Sequence, residues 1–204
     1  MEVEDIKGPH VKDFVRLAGD FCSLLEQSAH KKTGELFNEL QQIVPRLYMK
    51  AAMLPQPKFC YDEEPATFVK EDDYARIHDS LQQKFELFTG ITGMSPGTLP
   101  NQHELVSFTL AESFADLYEE LKNFVKLYEV GLPQSLNDAV WICRKRFENN
   151  LGIKLADSLK SLHTLMYNKQ SMGSRAIQRD DFNRNPDEEP WYSDDQEQVY
   201  GEDE

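Results

Sequence analysis

Four carboxylates are the residues of this chain whose types and spacing could do chemistry: Glu112, Asp116, Glu119 and Glu120. They lie within the stretch AESFADLYEELKNF, residues 111–124, whose apolar residues recur with a helical period. Carboxylates three and four residues apart share one face of a helix, so their oxygens could bind a divalent cation such as magnesium. In this hypothesis Glu112, Asp116 and Glu119 are the metal ligands of a metal-dependent hydrolase, and carboxylates of the preceding helix complete the site.

The same acids have a second interpretation, as the solvated face of a helix. At about 100° per residue they fall on the side opposite the apolar stripe that contains Leu110, Leu117 and Leu121. A polar face opposite an apolar stripe is typical of a surface helix. However, four acids with one nearby lysine, Lys122, repel one another unless a positive group faces them. Both interpretations stay open at this point.

The histidines do not supply a known metal template. A di-iron helical bundle needs Glu-x-x-His on two of its helices, and no histidine of this chain has an acid three residues before it. His78 and His163 each lie at the edge of an apolar stripe, so they are candidate pocket residues; a half-buried structural histidine is the alternative. No Ser/His/Asp or Cys/His signature occurs. We therefore assign no catalytic residue and expect no cofactor.

A third candidate site lies on the predicted fifth helix, where Trp141 points away from the apolar stripe beside the cations Arg144, Lys145 and Arg146. Trp141 either packs under the long loop 54–70 or is an exposed anchor of a partner-binding surface, for which Trp and Arg are typical. The triplet could instead face the acids of helix four, or an acidic tail. Trp141, Arg144 and Lys145 are accordingly predicted to bind a protein partner.

Charge limits the class of partner. The chain of 204 residues has a formal net charge of −14 and a pI of about 4.8. This argues against direct binding of nucleic acid or of an anionic membrane, both of which require positive surface. No run of about 18 apolar residues is present, and the acidic start MEVEDIKGPH is unlike a secretory signal, so we expect a cytoplasmic protein. Three widely spaced cysteines form no CxxC pair.

The pattern of apolar residues predicts an all-α, single-domain bundle of about six helices. The predicted helices cover about 9–28, 34–54, 71–88, 102–130, 135–150 and 153–168. Two long loops rich in Pro and Gly, 54–70 and 89–102, separate them. Gly131 and Pro133 end helix four, Ser135 and Asp138 resemble a capping box for helix five, and Gly152 indicates a break before helix six.

The end of the chain differs from the bundle, which is predicted to span 1–168. Residues 169–204 contain few aliphatic residues, and nine acids but no Lys or Arg follow residue 186. Such a segment buries too little apolar surface to offset its ordering entropy, so we expect a disordered acidic tail. Its Trp191 and Tyr192 are candidate partner-binding residues.

Two segments together resemble a known family: SFTLAESFADLYEELKNFVKLYEVG, 107–131, and LNDAVWICRKRFENNLGIKLADSLKSLHTLMY, 136–167. They are similar to a family of bacterial helical proteins that is known only as a domain of unknown function. Leu151 stands where that family commonly has an aromatic residue before the glycine, and the acidic tail is additional. The resemblance implies an all-α fold; it carries no known catalytic residue or ligand and so does not decide the function.

Taken together, these observations favour a non-enzymatic adaptor or accessory protein whose acidic tail docks on a basic protein partner. The metal-dependent hydrolase based on Glu112, Asp116 and Glu119 is one alternative. A homo-oligomeric structural protein that associates through Trp141 and the loops is another. The sequence does not decide the oligomeric state.

Overall fold

Six α-helices build the protein in a computed structural model, which describes residues 6–58, 67–91 and 101–167. The helices are α1 Pro9–Glu26, α2 Thr33–Ala52, α3 Glu71–Ile91, α4 Asn101–Glu129, α5 Pro133–Arg146 and α6 Gly152–Tyr167. A short 3₁₀ turn, Ser28–His30, joins α1 to α2, and the described residues contain no strand. The predicted all-α, single-domain bundle of about six helices is therefore confirmed.

Helix α4 lies at the centre of the bundle and packs against α1, α3, α5 and α6. Helix α2 closes the other side by packing against α1 and α6. This arrangement follows from the length of α4, because 29 residues give it enough surface for several neighbours. Gly131 lies in the turn that ends α4, as predicted. Its φ of 77° suits glycine, and its N–H donates to the Tyr128 carbonyl at 3.1 Å.

A chain of aromatic rings connects the helices through the core. Phe114 of α4 lies 6.3 Å from Phe21 of α1 and 5.9 Å from Phe85 of α3, measured between ring centroids. Phe85 in turn meets Phe37 of α2 edge-to-face at 5.2 Å. All four side chains are fully buried. Each ring buries a large apolar surface, so these contacts fix how α1 to α4 pack.

Two predicted helix signals are wrong. Ser135 and Asp138 do not cap α5, which begins two residues before Ser135 with Leu132 at the N-cap and no side-chain capping bond. Both residues are buried within the helix instead. A Pro at the first helical position starts α5 without a cap, because its missing N–H and fixed φ suit that position.

Gly152 likewise does not break the chain of helices. A five-residue π-helical segment, Phe147–Leu151, connects α5 to α6 without interruption. Gly152 is helical, and a Cβ built on it would lie 2.8 Å from the Phe147 carbonyl oxygen and 3.1 Å from the Phe147 ring. The glycine therefore permits a close approach between turns and does not end a helix.

Several predictions lie outside the described residues. They concern the tail 169–204 with Trp191 and Tyr192, the central part of the first long loop and most of the second. Within the described part of the chain, no helix is both long and apolar enough to span a membrane.

Candidate functional site

Asp116, the central acid of the predicted carboxylate face, is held by two neighbouring helices. The Tyr74 hydroxyl of α3 donates to Asp116 Oδ1 at 2.8 Å, and the Lys154 ammonium of α6 donates to Asp116 Oδ2. Burial raises the pKa of Tyr74, and the hydrogen bond to Asp116 raises it further. Both oxygens of Asp116 are thus used in contacts within the fold.

The other two predicted metal ligands do not join Asp116 in a cluster. Glu112 is exposed and Glu119 is half-buried. Over the described ranges 6–58, 67–91 and 101–167, no three His, Cys, Asp or Glu side chains come together in a way that could hold a metal ion. The structure therefore does not bring Glu112, Asp116 and Glu119 together as a ligand set.

Lys122, the lysine next to these acids in sequence, faces α1 instead. Its ammonium lies 2.6 Å from Glu26 Oε1, which also accepts a 2.9 Å hydrogen bond from the Tyr118 hydroxyl. Burial alone would raise the pKa of Glu26, but the bonds from Lys122 and Tyr118 outweigh it and lower that pKa. This contact joins α1 to α4 on the opposite flank from Asp116.

Two of the three cations of α5, Arg144 and Lys145, pair with an acid of the π-helical segment and not with the acids of α4. Arg144 and Lys145 both bind Glu148, at 2.9 and 3.0 Å, so these two do not neutralise the acids of α4. The lysine first and then the arginine lower the pKa of Glu148. The positive groups that act on the α4 acids are Lys154 and Arg146. The counter-charge therefore comes from Arg146 of α5, a member of the basic triplet, and from Lys154 of α6, which the sequence did not indicate.

A small cleft lies between α4 and α5, next to the π-helical segment. Its volume is about 30 Å³. Apolar side chains form most of its wall, and Glu120, Asn123, Arg146 and Thr67 are the polar residues that line it. Asn123 also holds the approach to the cleft, because its Oδ1 accepts the backbone N–H groups of Phe68 and Val69 at 2.7 and 3.0 Å.

Glu120 is the electrostatically unusual residue of the cleft. Its Oε2 atom is buried and has no hydrogen-bond partner among the described residues. Burial raises the pKa of this carboxyl, against the opposing effect of Arg146 and Lys154. Cys143 lines the same cleft, and burial followed by the charge of Glu120 raises the pKa of its thiol. This thiol is therefore protonated and unreactive at neutral pH.

The two candidate histidines lie in different surroundings. His78 is half-buried on α3, and its ring stacks on Tyr74 with 6.4 Å between centroids and 7° between planes. His163 is exposed on α6, with its ring 4.8 Å from that of Tyr167. His78 is thus placed beside the Tyr74–Asp116 contact, whereas His163 lies on the outer surface of α6.

Trp141 is half-buried on α5. One turn earlier on the same side of this helix, the Asn137 amide donates to the Lys58 carbonyl at 2.5 Å. This face of α5 therefore contacts the first part of the long loop 54–70. That Trp141 itself packs under the loop stays a prediction.

The sequence pointed to the acids of α4 but missed the two groups that stand out in the structure, Glu120 as a buried acid and Arg146 as its neighbour. One signal was available. Of the four acids, Glu120 lies closest to the apolar stripe, about 40° from its edge at 100° per residue. The same count places Arg144 and Arg146 on the two flanks of the apolar stripe of α5 and Lys145 opposite it, but it does not tell which flank faces α4.

Comparisons with known proteins agree with this fold. No curated protein matches the chain. The crystal structure of protein BF1032 from Bacteroides fragilis is similar, with 28% sequence identity and a TM-score of 0.67 over 80% of this chain and 96% of that one. Residues 6–168 match the family described as "Domain of unknown function (DUF5063)". Since this match spans most of the sequence and the whole helical bundle, the chain belongs to the DUF5063 family.

Proposed function

We propose that the chain is a cytoplasmic, non-enzymatic protein-interaction module that binds a protein partner through an apolar stripe on α2. One observation carries this proposal. The C-terminal half of the outer face of α2 carries exposed apolar residues, which we call the α2 stripe: Pro45, Tyr48, Met49, Ala52 and Met53. Tyr48, Met49 and Met53 are 45%, 53% and 47% exposed. Contiguous apolar surface of this kind marks interaction sites in soluble proteins.

The stripe covers the C-terminal half of α2, whereas Asn38, Gln41 and Gln42 occupy the same side of the helix nearer its start. At about 100° per residue, its five members fall within a sector of about 140° on one side of α2. Two methionines suit a surface that adapts to a partner, because their unbranched side chains repack easily. A helix that faced only water would carry polar residues at these positions.

The α2 stripe extends onto the junction of α5 and α6. The rings of Tyr48 and Phe147 meet at 5.2 Å, and the Arg144 guanidinium lies 5.9 Å from the Phe147 ring centroid. Arg144 also donates to the Ala52 carbonyl at 2.6 Å. A rigid arginine and an aromatic ring at the edge of an apolar surface are typical of residues that dominate binding energy. This supports the predicted role of Arg144, with Lys145 beside it at the rim.

The partner that fits is a protein with an apolar surface bordered by basic groups. The stripe supplies the apolar contact, and the acidic residues after 186 supply negative charge for the basic border, with Trp191 and Tyr192 as aromatic contacts among them. A net charge of −14 makes nucleic acid or an anionic membrane an unsuitable partner.

The experiment captures partners with the purified full-length chain, then measures affinity for each purified partner by calorimetry. A stripe variant carries Tyr48→Ser, Met49→Ser and Met53→Ser. A matched control carries Val130→Ser and Leu132→Ser, which are equally exposed apolar residues in the turn after α4. We expect the stripe variant to bind at least about tenfold more weakly and the control to bind as the native chain does. Equal affinity of the stripe variant and native chain would refute the proposal.

A chain that ends at Asn168 tests the tail separately. Docking of the tail on a basic partner is supported if the truncated chain binds more weakly and if low salt strengthens the binding of the full-length chain only. Light scattering tests self-association: a mass of two chains that returns to one in the stripe variant would assign the stripe to a homo-oligomer instead.

A further inference from the structure

The last residue that the structure describes lies beside the α2 stripe. Tyr167 ends α6, and its hydroxyl meets the side-chain amide of Gln41 on α2 at 3.1 Å. Gln41 precedes Pro45, the first member of the stripe, by four residues, so both lie on the same side of α2 one turn apart. The acidic tail, residues 169–204, therefore begins next to the surface that we propose binds a partner.

Each edge of the α2 stripe carries one more cation than acid. At the edge toward α5, Arg144 donates to the Ala52 carbonyl, and Arg144 and Lys145 share the single carboxylate of Glu148. The edge toward α1 has three cations and two acids: Arg16, Arg46, Lys50, Asp13 and Asp20. The surface is therefore apolar along its middle and weakly positive on both sides, in a chain whose net charge is −14.

One segment of the tail has the complementary pattern. Trp191 and Tyr192 are adjacent aromatic residues, and acids lie within five residues on both sides of them. These acids are Asp187, Glu188, Glu189, Asp194, Asp195 and Glu197. An aromatic pair flanked by acids matches an apolar stripe flanked by cations, because the rings bury apolar surface while the charges at the edges attract.

The connection between the two surfaces is long enough for them to meet. Trp191 follows Tyr167 by 24 residues, and a flexible chain of that length spans roughly 25–30 Å on average. The distance along α2 from Gln41 to Met53 is only about 18 Å at the usual helical rise. A group on such a tether has an effective concentration in the millimolar range near its site. Even a weak contact between the tail and the stripe therefore forms within the chain.

We propose that Trp191 and Tyr192 occupy the α2 stripe of their own chain when no partner is bound, with the neighbouring acids facing the cations at its edges. The rings then cover Met49 and Met53, which are otherwise exposed apolar surface. A partner that binds the stripe must displace the aromatic pair, and the displaced tail is then available to contact the basic border of that partner.

This consequence for partner binding rests on the proposed function, whereas the contact between tail and stripe exists in the free chain. Truncation of the tail removes a competitor for the stripe and an attraction for the partner together. The contact is therefore tested without a partner and in the full-length chain, so its failure is distinct from a failure of the proposed function.

Nuclear magnetic resonance of the full-length chain with ¹³C-labelled methionine methyl groups measures the contact. The chain has six methionines, and replacing Met49 and Met53 in turn by leucine assigns their two signals. We expect Trp191→Ser combined with Tyr192→Ser to move both signals toward the frequencies of solvent-exposed methionine, because the ring currents of the aromatic pair no longer act on them. Unchanged signals in this double variant would overturn the proposal.

Phe182→Ser is the matched control. Phe182 is an aromatic residue of the same tail, but Arg179 and Arg184 balance the charges of Asp180 and Asp181 around it. This variant should leave the signals of the two stripe methionines in place. Shifts as large as those of the double variant would contradict the assignment to the acid-flanked pair.

Dilution distinguishes a contact within one chain from a contact between two chains. About tenfold dilution of the native chain should leave both methionine signals unchanged, because an intramolecular contact does not depend on concentration. Signals that move toward those of the double variant on dilution would assign the contact to the tail of a second copy and overturn the intramolecular proposal.

Discussion

The Tyr74 hydroxyl of α3 donates a 2.8 Å hydrogen bond to Asp116 Oδ1 of α4, and the Lys154 ammonium of α6 occupies the other oxygen of the same carboxylate. One acid thereby joins three helices. This relationship explains why α4 tolerates a run of acids, because the central member is neutralised from outside the helix. It also makes Asp116 a structural acid whose contacts can be tested by their effect on stability.

Tyr74→Phe removes the hydrogen bond and keeps the aromatic ring. We expect the free energy of unfolding to fall by about 1.5 kcal/mol, the low end for a bond to a charged group, because the bond is only half-buried. Urea denaturation measures it. Tyr48→Phe is the control, because within the described residues the Tyr48 hydroxyl has no hydrogen bond; it should change the stability by less than about 0.5 kcal/mol. Equal losses in both variants would show that the Tyr74–Asp116 bond contributes nothing.

Gly152→Ala tests the close approach within the π-helical segment. The added Cβ would lie 2.8 Å from the Phe147 carbonyl oxygen, so we expect a loss of about 1–3 kcal/mol of stability. Gly19→Ala in α1 is the matched control: a Cβ there meets no atom within 4 Å, and alanine should stabilise the helix by about 0.5–1 kcal/mol. Thermal denaturation should therefore shift in opposite directions in the two variants. A shift in the same direction would contradict the role assigned to Gly152.

Glu26→Gln tests the contact between α1 and α4 through its pH dependence. The pKa of Glu26 is lowered in the folded protein below the reference value of 4.5. Its contribution to stability is therefore complete above the pKa of the unfolded chain and is lost as pH falls through the folded pKa. The variant should be less stable than the native chain at pH 7, and this difference should shrink below about pH 4.5. Urea denaturation at several pH values measures it.

Glu129→Gln is the control for that experiment. Glu129 forms an exposed pair with Lys126 three residues earlier on the same helix, and such pairs contribute little. It should leave stability nearly unchanged across the pH range. A stability difference for Glu26→Gln that stays constant with pH would show that the native carboxylate gains nothing from Lys122 and Tyr118.

At pH 7, Glu120→Gln should change the stability in the direction opposite to Glu26→Gln. Burial raises the pKa of Glu120 in the folded chain, so its contribution is complete below the unfolded pKa and is lost as pH rises through the folded pKa. The glutamine amide has nearly the same shape as the glutamate carboxylate, and it avoids the free-energy cost of burying a negative charge. The variant should therefore be more stable than the native chain at pH 7 and about equal to it at pH 4. Lower stability at pH 7 would mean that Arg146 and Lys154 stabilise the carboxylate more than burial destabilises it.

The fold was accessible from the sequence because its signals are local. Val11, Phe14 and Leu25 of α1 follow a helical period, and each is buried in the structure. Gly131 predicts the end of α4 because glycine alone adopts a positive φ without steric cost, and its φ is positive in the structure. The family resemblance gave the same fold independently, and the family match confirms it.

The site was less accessible because it depends on contacts between residues far apart in the chain. Asp116 and Lys154 are 38 residues apart, and their meeting is set by how α6 packs on α4. The break predicted at Gly152 is wrong for a related reason, because the sequence does not distinguish a glycine required for close packing from one that ends a helix. Likewise, Arg144 and Arg146 flank the apolar stripe of α5 on opposite sides, and which of them faces α4 depends on how the two helices pack.

The π-helical segment Phe147–Leu151 also determines which side of α6 faces the core, because it sets the rotation of α6 about its own axis. A residue in an α-helix turns the chain by about 100°, and a π-helical turn accommodates one residue more than an α-helical turn does. If the same five residues adopted α-helical geometry instead, α6 would be rotated by about 100° about its own axis. Leu155 and Leu162 would leave the core, and Lys154 would turn away from Asp116. Deleting one residue of the segment would instead remove the residue that the wider turn accommodates, so a regular α-helix could form with α6 in its present phase.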